Sequence, residues 1–152
     1  MKLASGVAPL PAMLSRNVAV GLGTDGAASN NTLNMFQEMK ITALLPKVYN
    51  LKADIVKAAD IVKMATISGA KILNWDNKIG SLEVGKRADI ITVNLNKPHL
   101  VPCFNPYSHL VYSATAQNVE DVIIDGEIIM QKREIKTMDE KKIIYQAKKF
   151  NP

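Results

Sequence analysis

Val18-Ala19-Val20-Gly21-Leu22-Gly23-Thr24-Asp25-Gly26-Ala27-Ala28-Ser29-Asn30-Asn31 is the stretch on which the fold turns. An apolar run from Val18 to Leu22 breaks off in Gly-Thr-Asp-Gly and passes into small polar residues. The positions between Val18, Val20 and Leu22 hold Ala and Gly rather than charges, which predicts a strand buried on both faces, as in a parallel sheet. Glycines at 21, 23 and 26 let the backbone turn sharply and approach another group closely. Asp25 is the only ionisable side chain in the stretch. It falls at the carboxyl end of the predicted strand, where α/β proteins place ligands and catalytic groups. An Asp beside Gly equally suits a helix cap or a turn brace. The stretch alone leaves both roles open.

Outward from it, residues 1–17 read as a loop and a short helix, with Pro9 and Pro11 in the first turn, where a missing N–H costs nothing. The Ser29-Asn30-Asn31-Thr32 cluster reads as a helix start, followed by apolar residues at Leu33, Met35-Phe36, Met39, Ile41 and Ala43-Leu44-Leu45. Pro46 is expected to end or kink that helix, leaving residues 47–53 as a connection. A second helix starts near Ala53-Asp54 or at Ala58 and runs to about Leu73, with Ala65, Ser68, Gly69 and Ala70 small enough for tight packing.

The second half changes character. Gly80 to Lys86 is turn chemistry, and Ala88-Asp89-Ile90-Ile91-Thr92-Val93-Asn94-Leu95 predicts a strand by its β-branched content. Pro98, Pro102 and Pro106 punctuate a loop that holds His99 and Cys103, and Ser108 to Tyr112 fits either a short strand or a helical turn. Asp125-Gly126 between Val122-Ile123-Ile124 and Glu127-Ile128-Ile129-Met130 is the signature of a type I′ hairpin. Thr137, with Glu140 three residues on, is the expected cap of a closing helix striped by Ile143-Ile144 and Ala147.

The 152 residues, 47% hydrophobic, have the composition of one globular domain. No run reaches the length of a membrane span, and the first residues are too short an apolar stretch for a signal peptide. One cysteine excludes an internal disulfide, fits a reducing cytoplasm, and reads as an ordinary buried thiol. With two histidines it is too little for a self-sufficient thiolate or imidazole metal cage. The net charge of +5 gathers largely in the last third, where lysines alternate with apolar residues and carboxylates. No aromatic platform is interleaved with them, so a solvated helix face is preferred to a nucleic-acid surface. Only one strand of the buried parallel kind is found, and it needs a sheet that another polypeptide segment must supply.

Gly21-Leu22-Gly23-Thr24-Asp25-Gly26 with Ser29-Asn30-Asn31, then Met64-Ala65-Thr66 with Gly69-Ala70, resemble the eighth-strand region of the amidohydrolase superfamily. Gly80-Ser81-Leu82-Glu83-Val84-Gly85-Lys86-Arg87-Ala88-Asp89-Ile90 and Val122-Ile123-Ile124-Asp125-Gly126 continue the resemblance in the same order. The branch it resembles most is that of the 5-methylthioadenosine/S-adenosylhomocysteine deaminases and related chlorohydrolases. The resemblance implies an α/β fold: the C-terminal part of a (β/α)8 TIM barrel, joined to β-sandwich strands and a C-terminal helix. The corresponding parts are barrel over residues 1–87, sandwich strands and hairpin over 88–136, and helix and tail over 137–152.

The same resemblance implies that Asp25 binds a divalent metal, usually zinc, and accepts a proton from metal-bound water during deamination of an adenosine-type substrate. Ser29 and Asn30 follow closely enough to line the substrate site, although their cluster equally suits simple capping. The family also takes a His-x-His pair, two further histidines and an acid/base glutamate, and none of these motifs is present. His99 and His109 are read as structural or loop residues. The expectation is therefore the C-terminal third of such an enzyme, not binding metal alone, inactive without the N-terminal half of the barrel, and self-associating through uncovered apolar faces. A non-enzymatic binding module derived from such an enzyme is the alternative, and neither a membrane nor nucleic acid is an expected partner.

Overall fold

A computed structural model describes residues 3–150. A short helix α1 (Leu10–Ser15) starts with proline in its first turn and leads into residues 18–22. A single turn α2 (Ala27–Asn30) follows Asp25, and the long α3 (Met35–Asn50) runs on from it. Helices α4 (Ala58–Met64) and α5 (Ile67–Ile72) come next, then strand β1 (Ile90–Val93). After the proline loop come the turn α6 (Pro106–Ser108), a π-turn His109–Ser113 and a 3-10 turn Ala116–Asn118. Strands β2 (Val119–Ile124), β3 (Glu127–Gln131) and β4 (Glu134–Ile135) and the closing helix α7 (Glu140–Ala147) complete the described chain.

The four strands form one antiparallel sheet in the order β1-β2-β3-β4. Its central turn is the Asp125-Gly126 hairpin, with φ of 51° and 85°, both in the left-handed region that a type I′ turn demands. Thr92 faces Asp121 across β1 and β2, and the register shifts by a bulge just after Thr92. The core gathers Leu10, Phe36, Met39 and Ala43 from the first helices and Val56, Ile61 and Met64 around α4. Leu100, Val111, Ala114 and Val119 close it from the second half. Ile61, Leu100 and Val111 are its largest fully buried side chains.

Several expectations change. Residues 18–22 are not a strand: their backbone bonds run from Val18 N to Met13 O and from Leu22 N to Met64 O, not along a neighbouring strand. A strand exists only by pairing, and the described residues offer this one no partner. Pro46 does not end its helix; it is buried inside α3, where packing on the core offsets the lost N–H bond, and the helix continues to Asn50. The second helix is two helices. Thr66 breaks it with φ −132° and ψ −106°, its Oγ1 folding back onto the Val62 carbonyl at 2.7 Å. Asp139, not Thr137, caps α7, accepting from Lys142 N. Cys103 is exposed rather than buried. Among the described residues, no helix is long and apolar enough to cross a membrane.

Candidate functional site

The site begins with how the chain arrives at Asp25. Val20 and Leu22 lie half-buried against the core, which anchors residues 18–22. Gly21 lets it come close to α5: a Cβ at Gly21 would lie 3.0 Å from Gly69 Cα and 3.2 Å from Ile72 Cδ1. Past Gly23, Asp25 takes a φ of 58°. Aspartate enters this left-handed region more readily than most residues, because its short side chain can hydrogen-bond to nearby backbone.

The surroundings of Asp25 are polar and local. Asp25 Oδ1 accepts from Gly26 N at 2.6 Å, and Thr24 Oγ1 donates to the Asp25 carbonyl at 3.1 Å. Asn30 Nδ2 donates to the Thr24 carbonyl at 2.7 Å and to Glu38 Oε1, also at 2.7 Å. Asn30 Oδ1 accepts from Thr32 Oγ1 at 3.2 Å. Asp25, Ser29 and Asn30 line one groove of about 360 Å³, together with Thr24, Gln37 and Glu38. Asp25 is exposed there, whereas Ser29, Asn30 and Glu38 are half-buried.

The Asp25 side chain braces its own turn through Gly26 N. α2 starts on Gly26 without a side-chain cap. The Ser29–Thr32 cluster does not start the long helix: Asn34 caps it, accepting from Phe36 N at 3.1 Å and Gln37 N at 3.3 Å. Glu38 was not legible as a site residue. Its meeting with Asn30 depends on α2 and the following loop bringing the first turn of α3 back beside the Asp25 turn, and no spacing rule encodes that. His99 Nε2 stands 3.4 Å from Asn118 Oδ1, and His109 Nδ1 3.0 Å from the Asn105 carbonyl, so both pair within the proline loop and its neighbours.

A carboxylate oxygen is a zinc ligand by chemistry, but one ligand is not a site. Among the described residues, no group of three or more His, Cys, Asp or Glu side chains could hold a metal ion. The one other carboxylate in the groove, Glu38, is already engaged by Asn30. The donor set of this chain alone therefore does not fit a complete metal centre.

Residues 1–129 match the model of the amidohydrolase family. The chain is 53% identical over 148 residues to a 5-methylthioadenosine/S-adenosylhomocysteine deaminase of Thermoanaerobacter pseudethanolicus, covering 97% of this chain and 34% of the relative. It is similar in structure to an adenosine deaminase from Xanthomonas campestris with bound zinc, at a TM-score of 0.93 and 38% identity, over 97% of this chain and 34% of that one. An atrazine chlorohydrolase from Arthrobacter aurescens complexed with zinc follows at a TM-score of 0.87 and 25% identity, over 97% and 33%. The chain thus spans about a third of the length of the relatives it matches.

Proposed function

Because the chain belongs to the amidohydrolase family, we propose that it forms the last-strand corner of a metal-dependent deaminase acting on an adenosine-type nucleoside. In this reading residues 18–22 become the eighth barrel strand once neighbouring strands flank them, and Asp25 is the carboxylate this chain brings to the site. The observation that carries it is Asp25 itself: an exposed carboxylate at the end of a core-anchored segment, on a left-handed turn that lines a groove. Structural likeness to zinc-bound deaminase and chlorohydrolase chains supports it. Deamination is preferred to dechlorination because the higher sequence identity is to deaminases.

The metal belongs to the completed protein, where it would polarise a water molecule. What this chain supplies is one carboxylate, able to hold one coordination position and a proton, and the groove beside it. Ser29, half-buried on the same wall, would contact the nucleoside, and the rest of the barrel is the partner that completes the pocket.

The test is ammonia release from 5′-methylthioadenosine by the protein in which this chain is joined by the rest of the fold, on one polypeptide or two. Asp25→Asn is expected to lower kcat by about a hundredfold or more, the size of a lost acid–base group, and to reduce zinc content. Full turnover by Asp25→Asn would sink the reading. No deamination from the completed wild-type protein would favour the non-enzymatic module instead.

A further inference from the structure

Asn30 stands five residues beyond Asp25, and its side chain reaches back across the turn. A primary amide carries two N–H donors, and both are committed, one to the Thr24 carbonyl and one to Glu38 Oε1, each at 2.7 Å. The bond to Glu38 is charge-assisted, the stronger kind. Glu38 belongs to α3, which Phe36 and Met39 fasten to the core. The Thr24 carbonyl is part of the peptide plane that leads directly into Asp25. A continuous connection therefore runs from a core-anchored helix through Glu38 and Asn30 to the peptide on which the Asp25 carboxylate is mounted.

We propose that Asn30, backed by Glu38, is a positioning residue that fixes the direction of the Asp25 carboxylate, rather than a donor to substrate. The proposal rests on the role given to Asp25 above. It also accounts for Glu38: a half-buried carboxylate beside Asp25 is held on the amide instead of competing with Asp25 for whatever the site binds. Sites whose reacting groups are held by a locked supporting shell keep geometry that loop residues alone do not.

The experiment compares Asn30→Ala, Glu38→Ala, Glu38→Gln and Asp25→Asn in the completed protein. The readouts are kcat, KM, zinc content and hydrogen exchange of residues 22–31. Losses of about tenfold or more in kcat or zinc affinity are typical when a supporting partner is removed. Asn30→Ala and Glu38→Ala should each lose that much with KM within about twofold, and exchange should speed up over 22–31. Glu38→Gln should recover most of the loss, because its Oε1 still accepts from Asn30. The double variant Asn30→Ala/Glu38→Ala should be no worse than Asn30→Ala alone, since both act through one connection. If Asp25→Asn is dead while Asn30→Ala and Glu38→Ala lose only thermal stability, the positioning role falls and the role of Asp25 stands. A raised KM with kcat intact in Asn30→Ala would make Asn30 a substrate contact and overturn the proposal. Full activity in Asp25→Asn removes the premise, and the proposal with it.

Discussion

Gly80 and Gly126 share a backbone conformation and differ in what surrounds them. Their φ angles are 90° and 85°. At Gly80 an added Cβ would meet Ala70 Cβ at 2.8 Å and Ile67 Cα at 2.9 Å, whereas at Gly126 nothing lies within 4 Å. Gly126→Ala should therefore cost only the left-handed backbone penalty, about 1–2 kcal/mol. Gly80→Ala adds a clash with the start of α5 and should exceed it by a further ~1–3 kcal/mol, the usual cost of overpacking. Urea midpoints at unchanged m-value measure both, and equal losses would contradict the packing argument. Asp121 carries a pH prediction. The Thr92 hydroxyl, and then the Lys132 backbone N–H, hold its carboxyl below the ordinary aspartate value of 3.8. A folded pKa below the unfolded one means that the unfolded chain takes the proton more readily. This contribution to stability is thus present above the ordinary value and lost as pH falls through the lowered one. Asp121→Asn should flatten the acid side of the stability curve in that window, and parallel curves for variant and wild type would refute it.

At the scale of elements, the long helix is set by one side chain. Asn34 satisfies two of the orphan N–H groups of α3, at Phe36 and Gln37. Asn34→Ala should cost about 1 kcal/mol, within the usual 0.5–2 for a lost cap, while Asn34→Asp should keep most of it. A thermal or urea melt that leaves Asn34→Ala unchanged would show the cap to be redundant. Which elements could be read from the chain follows from where their determinants lie. The Asp125-Gly126 hairpin was legible because its turn chemistry is contained in two residues. The cap of α3 was not, because Ser29 to Thr32 and Asn34 all have capping side chains, and tertiary packing of Phe36 and Met39 chose among them. Pro46 does not end α3 for the same reason: a buried position outweighed a local rule. Asp25 could be singled out from its place after an apolar run, but the Asn30–Glu38 bond could not, since it joins residues eight apart through a left-handed turn at Asn31.

The whole molecule has more surface than its mass calls for. A compact monomer of 16.6 kDa exposes about 7,600 Å², whereas this chain exposes 11010 Å². Part of the excess is the closing helix, whose Ile143, Ile144 and Tyr145 are all exposed. Another part is an apolar groove of about 730 Å³ between α3, α4, α5 and β1, lined by Leu22, Met35, Met39, Val62, Ile90 and Ile91 among others. Together with the exposed apolar side chains of α7, this groove is apolar surface that another segment can cover. The chain by itself is therefore expected to self-associate in sedimentation and to bind a hydrophobic dye, and the rest of the barrel should suppress both. Ile91 is 51% exposed at the groove, so Ile91→Glu should add charge there at little cost to the core. Two readouts should then move in opposite senses: the variant alone becomes more monomeric and binds less dye, yet it takes up the rest of the barrel less well and recovers less deaminase activity. A wild-type chain that sediments as a clean monomer with little dye bound would mean that the groove is not a covered face. A variant that loses self-association but completes the enzyme normally would place the covering segment elsewhere on the molecule.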